Sequence, residues 1–243
     1  MQTESPKLRL TVIFNNVSFD KSLSSSWGFS CLIEWRDETI LFDTGGDGNI
    51  LLSNMKRMNI DPMAVHTVFL SHAHADHTGG LEALLQKNTR VRVWLPESFP
   101  NAFKNMIKNY GAKVKSVRKS AQISEGVHSS GEMGDGIIEQ ALILETSSGL
   151  VIITGCAHPG IVNVVRKAKQ LYKGEVYLVM GGFHLAGMSD ERAGTIISIL
   201  KEMGVKKVAP SHCTGEKAMA LFREAWGDNF LEGGVGAIIE LPR

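Results

Sequence analysis

The decapeptide Ser71-His72-Ala73-His74-Ala75-Asp76-His77-Thr78-Gly79-Gly80 constrains this chain more than any other stretch. Three imidazoles and one carboxylate fall within six residues, which commits three of the chain's eight histidines to one loop. The apolar run Val65-His66-Thr67-Val68-Phe69-Leu70 before it reads as a buried strand, and Leu81-Glu82-Ala83-Leu84-Leu85 after it reads as a helix. The histidines therefore leave the end of a strand, where an α/β sheet exposes its chemistry. While the chain stays extended, side chains two apart share a face. That places His72, His74 and Asp76 together, and a turn after Asp76 brings His77 round. Neutral imidazole with carboxylate is the donor set of zinc and its neighbours.

The rest of the chain alternates strand and helix signals. Residues 8–14, 31–35 and 39–42 read as strands, the last two as a hairpin, and 49–58 as a helix. Residues 15–26 are polar and Ser-rich, a loop long enough to lean over a site. Beyond the histidine loop come strands at 91–95 and 113–117 around a helix at 100–110. Residues 123–136 read as a Gly-rich loop that takes in His128. A second hairpin pairs 137–144 with 150–154. Helices at 161–172, 190–203 and 216–225 then alternate with strands at 176–180, 207–209 and 235–241. A strand-rich stretch followed by βα units thus occurs twice, and two facing sheets with helices outside pack that pattern economically. No linker, short repeat or low-complexity segment divides it, so one domain over 1–243 is expected.

HxHxDH in this setting resembles the metallo-β-lactamase superfamily, and further positions of that pattern follow in order. Asp43 in Leu41-Phe42-Asp43-Thr44-Gly45-Gly46 matches its first motif, and His158 in Gly155-Cys156-Ala157-His158-Pro159-Gly160 its third. His184 in Gly181-Gly182-Phe183-His184 stands where the fourth is expected, and His212 in Pro210-Ser211-His212-Cys213 matches the fifth. The resemblance implies an α/β fold, an αββα sandwich of two facing mixed β-sheets with helices outside and metal in an edge cleft. It assigns His72, His74 and His158 to a first metal, and Asp76, His77 and His212 to a second. One or two divalent ions are expected, zinc foremost. Asp43 is expected to hold a ligand imidazole by its other nitrogen. Many members carry a bridging aspartate where this chain has His184. An imidazole, with one lone pair per nitrogen, cannot bridge two ions as a carboxylate does. His184 therefore either ligates one ion or faces substrate as acid or donor. Asp76 and His184 are the candidate catalytic residues.

Composition narrows the class. At 43% hydrophobic and 21% charged, with a net charge of +1, the chain has material for a sizeable core but no basic field for nucleic acid. Three cysteines, Cys31, Cys156 and Cys213, make a disulfide framework unexpected. Cys156 and Cys213 lie beside ligand candidates. The start Gln2-Thr3-Glu4-Ser5-Pro6 lacks a secretory pattern, and no apolar run approaches the ~18 residues of a membrane span, so a cytoplasmic protein is expected. The sequence leaves oligomeric state open.

The strings Trp27-Gly28-Phe29-Ser30, Glu139-Gln140-Ala141-Leu142, Gly155-Cys156-Ala157-His158, Gly181-Gly182-Phe183-His184-Leu185 and Ser211-His212-Cys213-Thr214-Gly215 look like the metal-dependent hydrolases of the β-lactamase superfamily II. That resemblance implies a hydrolase of a small ester, phosphoester or lactone working through a metal-bound water. The same group includes a dihydropterin-transferring synthase, similar to dihydropteroate synthase in reaction, which uses metal to expel diphosphate. A non-catalytic metal- or ligand-binding module is the remaining alternative. Trp27, Phe29, Gln140, Phe183 and Thr214 are the candidate contacts to a small-molecule substrate, the only partner expected.

Overall fold

The computed structural model describes residues 8–241. The Gln2 to Pro6 stretch lies outside them. In chain order the strands are β1 (Leu8–Asn15), β2 (Phe29–Trp35), β3 (Glu38–Phe42), β4 (Thr67–Phe69), β5 (Arg92–Pro96), β6 (Lys113–Val117), β7 (Ala121–Ser124), β8 (Val127–Ser129), β9 (Leu142–Thr146), β10 (Gly149–Thr154), β11 (Val176–Gly182), β12 (Lys207–Ser211) and β13 (Ile238–Leu241). The helices are α1 (Gly48–Arg57), α2 (Ala75–Thr78), α3 (Leu81–Lys87), α4 (Asn101–Asn109), α5 (Ile161–Leu171), α6 (Asp190–Glu202) and α7 (Glu216–Trp226). No described helix is long and apolar enough to cross a membrane.

One sheet has seven strands in the order β13-β1-β2-β3-β4-β5-β6, and the other six in the order β12-β11-β10-β9-β8-β7. Each is mixed in the same way. A hairpin, β2–β3 or β9–β10, pairs antiparallel, and the strands continuing from its second member run parallel. The C-terminal ends of β3, β4, β10, β11 and β12 consequently open on a common edge, as the βα pattern implied.

Alternation along the strands builds three apolar layers. In β10, Val151 and Ile153 face the other sheet while Leu150 and Ile152 face the helices. In β3, Ile40 and Phe42 point inward and Leu41 outward. The central layer joins Leu10, Val12, Ile33 and Phe69 to Leu142, Leu144, Leu178 and Met180. Outside one sheet lie Val164 and Val165 of α5, Leu200 of α6 and Phe222 of α7. Outside the other lie Leu51 of α1, Leu84 of α3 and Ile107 of α4. The expected αββα sandwich is therefore the observed one. Capping follows the sequence: Asp47 accepts from the N–H groups of Asn49 and Ile50 to start α1, and Ser189 accepts from Arg192 to start α6.

Two expectations change. Residues 123–136, read as loop, contain β8 and the end of β7. Their own apolar alternation is too short to announce a strand, and pairing of Val127, His128 and Ser129 with β9 supplies it. His128 is accordingly buried on a strand, its Nε2 2.6 Å from Glu145 Oε1. The strand expected from residue 137 begins only at Leu142. The residues before it leave the ladder and carry Glu139 and Gln140 to the site edge.

Leu178, fully buried between the sheets, tests this seam. Leu178→Ala should cost ~2–5 kcal/mol of unfolding free energy in urea titration. A loss below ~1 kcal/mol would contradict a close-packed seam.

Candidate metal centre

Asp43 is the first fixed point. It follows β3 in a left-handed conformation (φ 51°) and is fully buried. Its Oδ1 accepts from the Ser71 N–H at 2.7 Å, and its Oδ2 from the Ser71 hydroxyl and from His77 Nδ1, each at 2.7 Å. Since the Ser71 hydroxyl has one proton and gives it to Asp43, it accepts from His72 Nδ1 at 2.8 Å. One carboxylate therefore orients two imidazoles, one directly and one through a hydroxyl, and both turn Nε2 toward the sheet edge. His212 is oriented from elsewhere: its Nδ1 donates to Asn16 Oδ1 at 2.7 Å. Asn16 lies on the polar loop after β1.

The second sheet supplies the opposite wall through Glu139, also fully buried. Its Oε1 accepts from Thr154 Oγ1 at 2.9 Å and from the N–H groups of Gly155, Cys156 and Ala157 at 3.0 Å. Its Oε2 accepts from the His158 N–H at 2.8 Å. The turn after β10 thus wraps a carboxylate, and Ala157 adopts φ 55° to do so. Gly155 is needed for close approach: a Cβ there would collide with the Ser71 hydroxyl and the Asp43 carboxylate. Gln140 joins the walls, donating its Nε2 to Leu70 O at 2.8 Å and its backbone N–H to Ser71 O at 2.9 Å.

Between these walls the donors converge. Asp76, His77, Cys156 and His212 offer ligand atoms all within 4.8 Å of one another, as do His72, Cys156 and His158, and Cys156, His184 and Cys213. The Nε2 atoms of His72, His158 and His212 are buried without a hydrogen-bond partner. Orphaned buried polar atoms are costly, and three of them beside a carboxylate fit a divalent ion. His74, the exposed histidine of the loop, packs its ring against His72 and His158 at centroid distances of 4.7 and 4.9 Å.

Electrostatics prepares the donors. Burial first, then the neighbouring imidazoles, push His72 down, and burial with His184 and His74 holds His158 at about 4. Burial alone would raise Asp76, but the His212 ring, its Nε2 3.3 Å from Asp76 Oδ2, and the charge of His77 bring it to about 2. At neutral pH these groups are in their ligating forms. Burial pushes Asp43 up against His77 and Ser71, while His77 rises because Asp43 outweighs burial. The Cys156 thiol beside it holds Cys213 down, and Cys213 in turn raises His184.

The edge thus gathers Asp43, His72, His74, Asp76, His77, His158, His184 and His212. The proposed substrate contacts divide. Trp27 is 56% exposed, its ring 4.9 Å from that of His212. Phe29 instead packs on Phe42 between the sheets, and Phe183 on Phe222 beneath the helices. Gln140 is consumed in joining the walls. The Thr214 hydroxyl donates to Ser211 O and accepts from the Phe183 N–H, fixing the two loops that carry His184 and His212. In strands buried on both faces, an aromatic next to a motif has no reason to face solvent. Ser71, Asn16 and Glu139 were not anticipated as site residues. Adjacency to His72 was the available signal for Ser71, the polar loop over 15–26 for Asn16 and the Glu139-Gln140-Ala141-Leu142 string for Glu139, but none of these announced a role.

Glu139→Ala should destabilise the protein by ~3 kcal/mol or more in denaturant unfolding, because several buried donors lose their acceptor at ~1–3 kcal/mol each. An unchanged midpoint would show that the turn holds itself.

Comparison with known proteins agrees with this geometry. The 7,8-dihydropterin-6-methyl-4-(beta-D-ribofuranosyl)-aminobenzene-5'-phosphate synthase of Methanocaldococcus jannaschii is 31% identical across 95% of this chain and 95% of its own length. An uncharacterized protein of the same organism is 28% identical across 95% of this chain and 99% of its length. The crystal structure of a metal-dependent hydrolase of the beta-lactamase superfamily superposes with a TM-score of 0.83 at 28% identity, covering 97% of this chain and 100% of that one. The pattern of the metallo-beta-lactamase superfamily matches residues 28–161. With the sandwich, the loop donors and these relatives in agreement, the chain belongs to the metallo-beta-lactamase superfamily.

Proposed function

We propose that this protein is a metal-dependent hydrolase of a small ester, phosphoester or lactone. The observation that carries the reading is the convergence of three unpartnered, buried Nε2 atoms, those of His72, His158 and His212, on one edge with Asp76. His72, His74 and His158 would hold one divalent ion, zinc foremost, and Asp76, His77 and His212 a second. Bound there, such ions supply a Lewis acid for a carbonyl or phosphoryl oxygen and acidify water. Asp43 keeps His72 and His77 in the tautomer that turns Nε2 inward, and Asn16 does so for His212. His184 stands exposed at the rim, its ring 4.4 Å from His158. Because Cys213 raises it, His184 keeps its proton to higher pH than a free imidazole and suits donation to a leaving group. A depression of about 430 Å³, lined by Leu185, Met188, Asp190, Gly215 and Lys217, lies along the segments that follow His184 and His212.

A second reading is transfer of a dihydropterin, with loss of diphosphate as an aromatic ring attacks. Trp27 favours it, since an exposed indole beside His212 offers a stacking face to a flat heterocycle. The Methanocaldococcus jannaschii relative, a synthase named for a dihydropterin–aminobenzene product, points the same way.

Elemental analysis should find one to two divalent ions per chain. His72→Ala should lose the ion of the His72, His74 and His158 set, since removing one of its imidazoles leaves that position short of donors; undiminished metal would sink the assignment. His184→Ala should keep its metal and lose turnover by ~10²–10⁴-fold. The wild-type rate should fall as pH rises through the raised His184 value, and this limb should vanish in the variant. Metal loss in His184→Ala would make it a ligand instead. The metal-loaded protein is to be assayed on aryl phosphoesters and lactones, and separately on a dihydropterin-methyl diphosphate with a 4-aminobenzoate-type acceptor. Coupled product without hydrolysis establishes the second reading, and Trp27→Ala should then raise KM. Silence in both assays with metal bound favours a binding module.

A further inference from the structure

We propose that Cys156 is a metal ligand, and that its sulfur is the donor shared by the two ion positions. The inference rests on the metal centre proposed above and identifies a ligand that the histidine pattern does not contain. Cys156 is the one residue common to the group with Asp76, His77 and His212 and the group with His72 and His158. Its Sγ lies 3.2 Å from His77 Nε2. His77 Nε2 is 3.5 Å, and His212 Nε2 3.3 Å, from Asp76 Oδ2. Four donors at tetrahedral bond lengths of ~2.0–2.3 Å about zinc stand ~3.3–3.6 Å apart. The two spacings to Asp76 Oδ2 fall in that range, and the Cys156–His77 contact, a hydrogen bond, is slightly shorter.

The chemistry of the donor selects sulfur for the shared place. An imidazole Nε2 has one lone pair and serves one ion. A thiolate sulfur has three and can serve two. His184, on the other side of Cys156, has the same one-pair restriction and is exposed. Cys156 is also held still: its N–H donates to Glu139, as do those of Gly155, Ala157 and His158 around it. The sulfur therefore reaches the site from a braced turn.

The third cysteine provides a contrast within the molecule. Cys31 packs in the apolar layer between the sheets. Cys156 is nearly as buried but belongs to none of the three apolar layers; its neighbours are imidazoles with free lone pairs. On ligation the thiol releases its proton to solvent, so metal uptake by Cys156 is accompanied by proton release.

The test reads the metal's coordination rather than turnover. The full-length protein, stripped and reloaded with Co(II), should show a thiolate-to-cobalt charge-transfer band in the near ultraviolet. Cys156→Ser and Cys156→Ala should lose the band, and Cys213→Ala should keep it. Zinc-edge X-ray absorption of the zinc-loaded wild type should show a sulfur scatterer at about 2.3 Å, a measurement independent of whether any variant folds. A wild type that binds its ions with only nitrogen and oxygen neighbours would overturn the inference and leave the metal reading standing. A band that survives Cys156→Ala and disappears in Cys213→Ala would move the ligand to Cys213 and overturn it equally. A wild type that takes up no ion would remove both.

Discussion

A buried carboxylate surrounded by backbone N–H groups sets the geometry of this protein's functional edge. Taking Glu139 out of water costs several kcal/mol unless its lone pairs are met. Four consecutive peptide N–H groups and the Thr154 hydroxyl meet them. Hydrogen bonds to a charged acceptor contribute ~1.5–3 kcal/mol each, so the turn and the carboxylate hold one another. The same turn carries Cys156 and His158, and the positions of both therefore depend on a residue that touches neither an imidazole nor solvent. Asp43 does the corresponding work opposite, through Ser71 and His77. The two carboxylates come within reach of one another's loops because Gly155 has no side chain to hold Ser71 away.

Backbone strain is concentrated in the same place. Of the six non-glycine residues described with positive φ, four are Asp43, Ala157, His184 and His212. Asp and His tolerate the left-handed region better than most residues, whereas Ala gains no such relief. Such conformations cost of order 1–3 kcal/mol each and persist only where surroundings over-determine them. The hydrogen bonds to Glu139, and the Thr214 hydroxyl between Ser211 and Phe183, are those surroundings.

Much of this was legible in the residues. The histidine loop announced its donors because they are contiguous, and the strand–turn–helix signals around it placed them at a sheet edge. The order of hairpins and βα units implied two sheets and outer helices. What escaped was whatever depends on distant pairing. The His212–Asn16 contact joins residues 196 positions apart, and neither carries a local mark of it. β8 exists because β9 is beside it. Phe29 and Phe183 looked like site aromatics because motif neighbours in a sequence are not neighbours in orientation. In a strand buried on both faces, hydrophobicity does not say which side a ring takes.

The donors are divided between the two sheets, and this bears on the order of assembly. His72, Asp76 and His77 emerge early from a single loop after β4, while Cys156, His158 and His212 arrive with the second sheet, the last of them at the end of β12. A growing chain displays the first loop long before its counterparts exist, and Asn16, the partner of His212, waits through nearly the whole of synthesis. Domains form as units once their long-range contacts are available, so the ion-holding cage closes only when the second sheet has docked. An ion that draws on donors from both sheets is then acquired late in biogenesis, and its retention would report that both halves have met.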